Sequence, residues 1–153
     1  MSVNDLLTIG FTSTRKLREK DPPRIRGVLD TLDADRYVTG GAIGGDALIG
    51  LYLVLTQPSK EHIVYVPHNT SQVEWWWETE AARATGAVIN VFHGGSYAER
   101  NQKIVDAINK LYAFPGYPEQ DGHSRRSGTW ETIRMAKKRP IDKHICVLRE
   151  DSW

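Results

Sequence analysis

Tyr37-Val38-Thr39-Gly40-Gly41-Ala42-Ile43-Gly44-Gly45-Asp46 passes from two β-forming residues, through four glycines in six positions, into the apolar run Ala47 to Leu55. That run is too long for a typical strand and reads as a buried helix. A short strand, a glycine turn and an apolar helix in direct succession imply a sheet whose strands are joined by helices. The rest of the chain repeats that alternation on both sides.

Towards the N-terminus, Leu6 to Ile9 is an apolar strand closed by Gly10-Phe11-Thr12-Ser13-Thr14-Arg15. Pro22 to Leu32 then carries Ile25, Val28, Leu29 and Leu32 on one helical face. Towards the C-terminus, a strand at Ile63 to Val66 is stopped by Pro67, and a helix at Val73 to Thr85 is closed by Gly86 as its C-cap. A strand at Ala87 to Phe92, a helix from Tyr97 to about Asn109 and a strand at Leu111 to Phe114 follow. A helix at Thr129 to Lys138 and a strand at His144 to Leu148 complete the series. Six strands alternating with five helices predict an α/β fold of three layers around a mostly parallel sheet, because parallel neighbours need crossovers and helices supply them.

Composition agrees with one globular domain, residues 1–153, that buries roughly 68–70% of its unfolded surface without disulfides or a structural metal. The single Cys, Cys146, excludes a disulfide framework and a CxxC zinc site and is expected to be buried and inert. Nothing in the sequence calls for a metal or a cofactor. Lys and Arg number 20 against 19 Asp and Glu, for a formal net charge of +1, which argues against a dedicated duplex-DNA binder. No apolar window approaches 18 residues and the N-terminus has no leader-like apolar region, so the expectation is a cytoplasmic protein with no membrane partner.

In doubly wound folds ligands bind outside the carboxyl ends of the strands, so the loops after the strands carry the functional reading. Gly40, Gly41, Gly44 and Gly45 bring backbone N–H groups near an anion, and the following helix N-terminus adds a partial positive charge. The loop lacks the Gly-Lys-Ser/Thr of a Walker A motif and the spacing of GxGxxG. Asp46 falls in the first helical turn, where capping competes with binding a ribose hydroxyl. Ser127, Gly128 and Thr129 precede another helix and either hold a second anion or cap that helix, with Glu131 or Thr132 reaching back. Arg100 and Asn101 lie near a third helix start, where a guanidinium is unfavourable to the dipole and so has another reason to be present, either as a phosphate contact or as a solvated side chain. Ser13 and Arg15, after the first strand, form a weaker pair of the same kind.

Gly10 to Arg15, Tyr37 to Gly50, Tyr97 to Ala107, Leu111 to Gly116 and Ser127 to Pro140, in that order, resemble the SLOG superfamily of Rossmann-like nucleotide-binding domains. The superfamily includes the DNA-processing protein A domain, the Lonely Guy phosphoribohydrolases and a group of small bacterial and phage proteins, to which the chain is most similar. The resemblance covers Leu6 to Leu148. It implies a Rossmann-like fold, a homo-oligomer, and a nucleotide or other phosphorylated small molecule as ligand. Phosphate is then expected on Gly40 to Gly45 and Ser127 to Thr129, with Arg100 neutralising it and Asn101 or Asp46 fixing the sugar.

Two departures stand out. The family's Gly-Ser-Arg is loosened to Ser13-Thr14-Arg15, and one Gly is missing before Thr129. Lonely Guy enzymes cleave the N-glycosidic bond of nucleoside 5′-monophosphates using the last Glu of Pro-Gly-Gly-x-Gly-Thr-x-x-Glu. Gly128 and Thr129 match that motif, but Thr132 occupies the catalytic position. Glu131 is one residue out of register, about 100° around the helix, and needs a different helix start to face the same site. An N-glycosidase with Glu131 and Arg100 as catalytic residues is therefore the alternative function. A second alternative is single-stranded DNA binding, as in DNA-processing protein A, with Trp75, Trp76 and Trp77 as stacking surfaces. Three successive tryptophans span about 200° of a helix and cannot share one core face. They are expected either to divide between core and surface, or to present one face to a subunit contact or the ligand. His123, Arg125 and Arg126 sit in a polar loop that either closes over an anion or stays a surface loop.

Overall fold

Among the described residues strand and helix alternate: β1 (Thr8–Ser13), α1 (Asp21–Leu29), β2 (Arg36–Thr39), α2 (Gly45–Thr56), β3 (Glu61–Val66), α3 (Trp76–Thr85), β4 (Val88–His93), α4 (Tyr97–Ala107), β5 (Lys110–Phe114), α5 (Gly128–Lys137) and β6 (Asp142–Ile145). The computed structural model describes residues 6–68, 76–119 and 127–149. The six strands form one sheet in the order β4-β3-β2-β1-β5-β6, and every neighbouring pair is parallel. The fold is thus the expected Rossmann-like three-layer α/β architecture, with a sheet parallel throughout.

From β1 the chain steps outward through β2, β3 and β4, then crosses back along α4 to place β5 on the other side of β1. Helices α1, α2 and α3 pack in series on one face, and α4 pairs with α5 on the other. Successive strand residues point to opposite faces, and the two cores divide accordingly. Ile9, Phe11, Tyr37 and Phe114 pack with Ile25 and Leu29 of α1 and Ile49 and Leu53 of α2. Val38, Leu111 and Ala113 pack with Ile104 and Val105 of α4 and Ile133 and Ala136 of α5. Each fully buried Val, Leu, Ile or Phe side chain among them contributes about 1.5–3 kcal/mol. Central β1 is buried along its whole length, whereas edge strands β4 and β6 are largely exposed. No helix among the described residues is long and apolar enough to cross a membrane.

Several boundaries differ from the sequence-based expectation. Gly10 to Ser13, expected as a loop, form the heart of β1 and pair with β5. Gly10 is where α4 approaches: a Cβ there would lie 2.7 Å from Ile108 Cγ2. Strand β6 lies nearer the N-terminus than His144 to Leu148, but Cys146 and Leu148 still donate to Ala113 O and Pro115 O, so the chain continues along the exit of β5. Helix α1 stops at Leu29 rather than Leu32, where the Asp30 N–H donates to Arg26 O and the Thr31 N–H to Val28 O. Gly86 ends α3 as expected, with φ of 78°. Val73 to Trp75, expected to open that helix, lie outside the described residues.

β1 and β5 are adjacent, yet the helices that follow them leave to opposite faces. The carboxyl ends of this pair therefore open the crevice where ligands bind in such sheets.

Candidate functional site

A cavity of about 650 Å³ occupies that crevice, within the usual range for small-molecule sites. The exits of β1 (Thr12 to Lys16) and β5 (Gly116 to Pro118) form two walls, and the first turns of α4 and α5 form the others. Ser13, Arg15, Asp46, Arg100, Asn101, Ser127, Gly128, Thr129 and Glu131 are brought together on its surface. These are all the site residues anticipated from sequence except the four glycines.

Gly40, Gly41, Gly44 and Gly45 do not line the cavity, although Ala42 between them does, and their contacts give them a scaffolding role. The Gly45 N–H already donates to Thr14 O at 2.9 Å. A Cβ at Gly45 would lie 1.8 Å from Ser13 Oγ, and one at Gly44, where φ is 91°, would lie 2.3 Å from Arg15 O. The glycines let the β2–α2 turn close onto the β1 exit and thereby fix Ser13 to Arg15. Gly44, not Asp46, is the N-cap of α2, which corrects the capping alternative for Asp46. The Asp46 side chain is instead buried against the cavity.

Helix α4 begins with a capping box in which the Ser96 hydroxyl accepts from Glu99 N and the Glu99 carboxylate accepts from Ser96 N. That start aims Arg100 inward, where only 4% of it is exposed, so the solvated alternative does not hold. Its Nη1 donates to Gly40 O at 2.6 Å and its Nε to Asn101 Oδ1 at 2.8 Å. The reason for an arginine at an unfavourable helix position is thus partly structural: it ties the glycine turn to α4. Burial pulls its proton affinity down while Asp46 pulls it up, and a guanidinium remains charged. Arg15 and Arg100 both lie over the Tyr97 ring, 5.2 and 5.6 Å from its centroid.

Ser127 caps α5, its hydroxyl accepting from Trp130 N at 3.2 Å. The helix therefore starts at Gly128, one residue before the sequence-based start. With that start Glu131 lines the cavity, while Thr132 is fully buried and its hydroxyl donates to Gly128 O at 2.8 Å. The register question raised by the sequence is resolved in favour of Glu131 facing the site.

Three aromatic residues complete the walls, and none carried a functional signal in the sequence: Tyr97, Tyr117 and Trp130. Trp130 Nε1 donates to Tyr117 O at 3.1 Å, Arg18 bonds the Tyr117 hydroxyl, and Arg149 lies 5.2 Å from its ring centroid. Arg149 in turn donates to Lys16 O and pairs with buried Asp21, joining the β1 and β5 exits.

Glu78 was also not anticipated. It is 1% exposed, and its carboxyl lies in a notch left by Gly50 of α2. Burial raises it well above the ordinary carboxyl range, ionised Asp46 raises it further, and the neighbouring Thr39 hydroxyl opposes. Asp46 is pushed up to about 6 by burial, against Arg100, the Ser13 and Ala42 amides and Arg15. A glycine inside an otherwise apolar helix was the available signal for a close approach.

Trp77 is 47% exposed, and Trp75, His123, Arg125 and Arg126 lie outside the described residues. Cys146 is half-buried rather than buried, and desolvation raises its thiol. Comparison of the chain with protein-family models, with curated proteins and with solved structures finds no match.

Proposed function

We propose that the cavity binds a nucleotide or a nucleotide-derived phosphorylated ligand, as the SLOG resemblance implies. The observation that carries this reading is the convergence of Arg15, Lys16, Arg100 and the N-terminal turn of α5 on one cavity that also has tyrosine and tryptophan walls. Phosphate fits the α5 N-terminus and the β1 exit, where backbone N–H groups and cations meet. Tyr97, Tyr117 and Trp130 offer apolar area to a planar base. Asp46 and Asn101 also line the cavity and offer acceptor and donor groups to a sugar hydroxyl.

Native mass spectrometry of the purified protein reads a retained ligand and the subunit number together, a homo-oligomer being expected. Titration calorimetry with AMP then tests the site. Arg15 is exposed, so Arg15→Ala leaves the fold intact and weakens binding by about 1.5–3 kcal/mol, the value of a charged hydrogen bond. No binding of any nucleoside monophosphate, or an affinity unchanged in Arg15→Ala, refutes the placement.

The position of Glu131 favours a second reading, hydrolysis of the N-glycosidic bond of a nucleoside monophosphate, with the carboxylate facing the sugar. Release of free base from AMP or CMP, lost in Glu131→Gln while binding persists, supports it. Binding without base release leaves a binding protein.

A further inference from the structure

Two buried carboxyl groups act on one another beneath the cavity, and one of them, Asp46, faces the buried cation Arg100. Asp46 is 5% exposed, lines the cavity, and has no hydrogen-bond partner for Oδ1 among the described residues. Glu78, from the first turn of α3, is 1% exposed and has none for Oε1. Gly50 lies one turn beyond Asp46 on α2, and a Cβ at Gly50 would fall 2.1 Å from the Glu78 carboxyl carbon. Glu78 therefore reaches the face of α2 that carries Asp46. Arg100 and Asp46 meet at Gly40, where a Cβ would lie 2.4 Å from Arg100 Nη1 and 3.1 Å from Asp46 Oδ2.

The charges facing this group come from every element around it. Arg100 arrives from α4, Arg15 from the β1 exit and Glu78 from α3, while Glu131 of α5 and Tyr97 act on Arg100. Arg15 is exposed and screened by solvent, so the buried balance is two carboxyls against one guanidinium. Ionising both carboxyls would leave a negative charge uncompensated in the interior, which protonation avoids. An anionic ligand beside Arg100 adds a further negative charge next to Asp46.

We infer that Asp46 and Glu78 hold one proton between them at neutral pH, and that uptake of a second proton by Asp46 accompanies the entry of an anionic ligand. The inference rests on the reading of the cavity as an anion site. In the unliganded state Glu78 keeps the first proton, and ionised Asp46 balances Arg100. When Asp46 takes the second, it no longer neutralises Arg100, and the full charge of Arg100 meets the ligand. The protonated pair thus admits an anion beside Arg100, and ionised Asp46 repels it.

Carboxyl carbon NMR titration of the unliganded protein tests the pair, and sulfate, a dianion throughout the range used, tests the coupling. Two carboxyl titrations are expected above the ordinary range. Asp46→Asn removes the lower one and brings the upper one down by about one pH unit or more, because the ionised neighbour is gone. Sulfate affinity is expected to rise about 25-fold between pH 7.5 and pH 5.5, following the protonated fraction of a group that titrates at about 6, and to be flat in Asp46→Asn. Ordinary midpoints for both carboxyls, or a Glu78 midpoint unmoved in Asp46→Asn, overturn proton sharing; the wild-type titration decides the former even if the variant fails to fold. Sulfate binding with the same pH profile in both proteins overturns the coupling. No sulfate binding at either pH, with both raised titrations present, overturns the anion-site reading and with it the coupling, but not the carboxyl pair.

Discussion

Replacing Gly50 by alanine probes the contact that brings α3 to the site. Gly to Ala inside a helix ordinarily stabilises by about 0.5–1 kcal/mol, since glycine loses more backbone freedom on folding. Gly27 of α1 is the internal reference: it is exposed, and a Cβ there meets nothing within 4 Å. Gly27→Ala is therefore expected to deliver that gain in full. At Gly50 the Cβ would lie 2.1 Å from the Glu78 carboxyl carbon and 2.3 Å from each oxygen. The carboxyl ends a flexible side chain, but with 1% exposure it cannot swing away without α3 lifting from α2. Overpacking of this kind costs about 1–3 kcal/mol, so the net expectation for Gly50→Ala is a loss of about 0.5–2 kcal/mol. Urea unfolding with an unchanged slope reads both variants on one scale. In a Glu78→Ala background the notch is vacant, and Gly50→Ala should become neutral or stabilising, a coupling that a double-mutant cycle isolates. If Gly50→Ala stabilises the wild type as Gly27→Ala does, the Glu78 carboxyl is not seated against α2, and the carboxyl pair loses its geometric basis.

Two further outcomes follow from buried charge. Asp46 binds its proton more tightly folded than unfolded, so its stabilising contribution is complete below the ordinary value of 3.8 and is lost as pH rises to about 6. The loss amounts to about 3 kcal/mol, and Glu78 adds to it in the same direction. Urea midpoints at pH 4 and pH 7.5 should therefore fall more steeply in the wild type than in Asp46→Asn; parallel profiles would contradict a raised Asp46. The Asp21–Arg149 pair, with side chains 4% and 7% exposed, should cost about 3–5 kcal/mol when Asp21→Ala strands Arg149. Arg149→Met should cost less, because Asp21 still accepts from Arg18 N at 2.7 Å, and equal losses in thermal or urea unfolding would argue against that asymmetry.

Most of the site could be named from the sequence because its residues follow strands and open helices, and both features are local. Ser13, Arg15, Asp46, Arg100, Asn101, Ser127 to Thr129 and Glu131 all reach the cavity by that logic. What local reasoning could not supply was what the glycines pack against and which way Glu131 faces. Four glycines signal a backbone that can approach something closely, but not what it approaches; here the neighbours are Ser13, Arg15 and Arg100 rather than open space. Glu131 turned on whether α5 starts at Gly128 or Thr129, a difference of one residue and about 100° of rotation. Glu78 carried no signal of its own in an ordinary run of Glu, Ala and Arg.

The sequence by itself determined the α/β class, the number of strands and helices, and the loops that serve the site. Each of these follows from hydrophobic period and from backbone preferences that neighbouring residues impose. The order of strands, the division of helices between the faces and the meeting of Asp46 with Glu78 and Arg100 were decided only by tertiary structure. These depend on contacts between segments far apart in the chain, where burial sets the cost of a charge and a missing side chain, as at Gly40 or Gly50, sets how closely two elements pack.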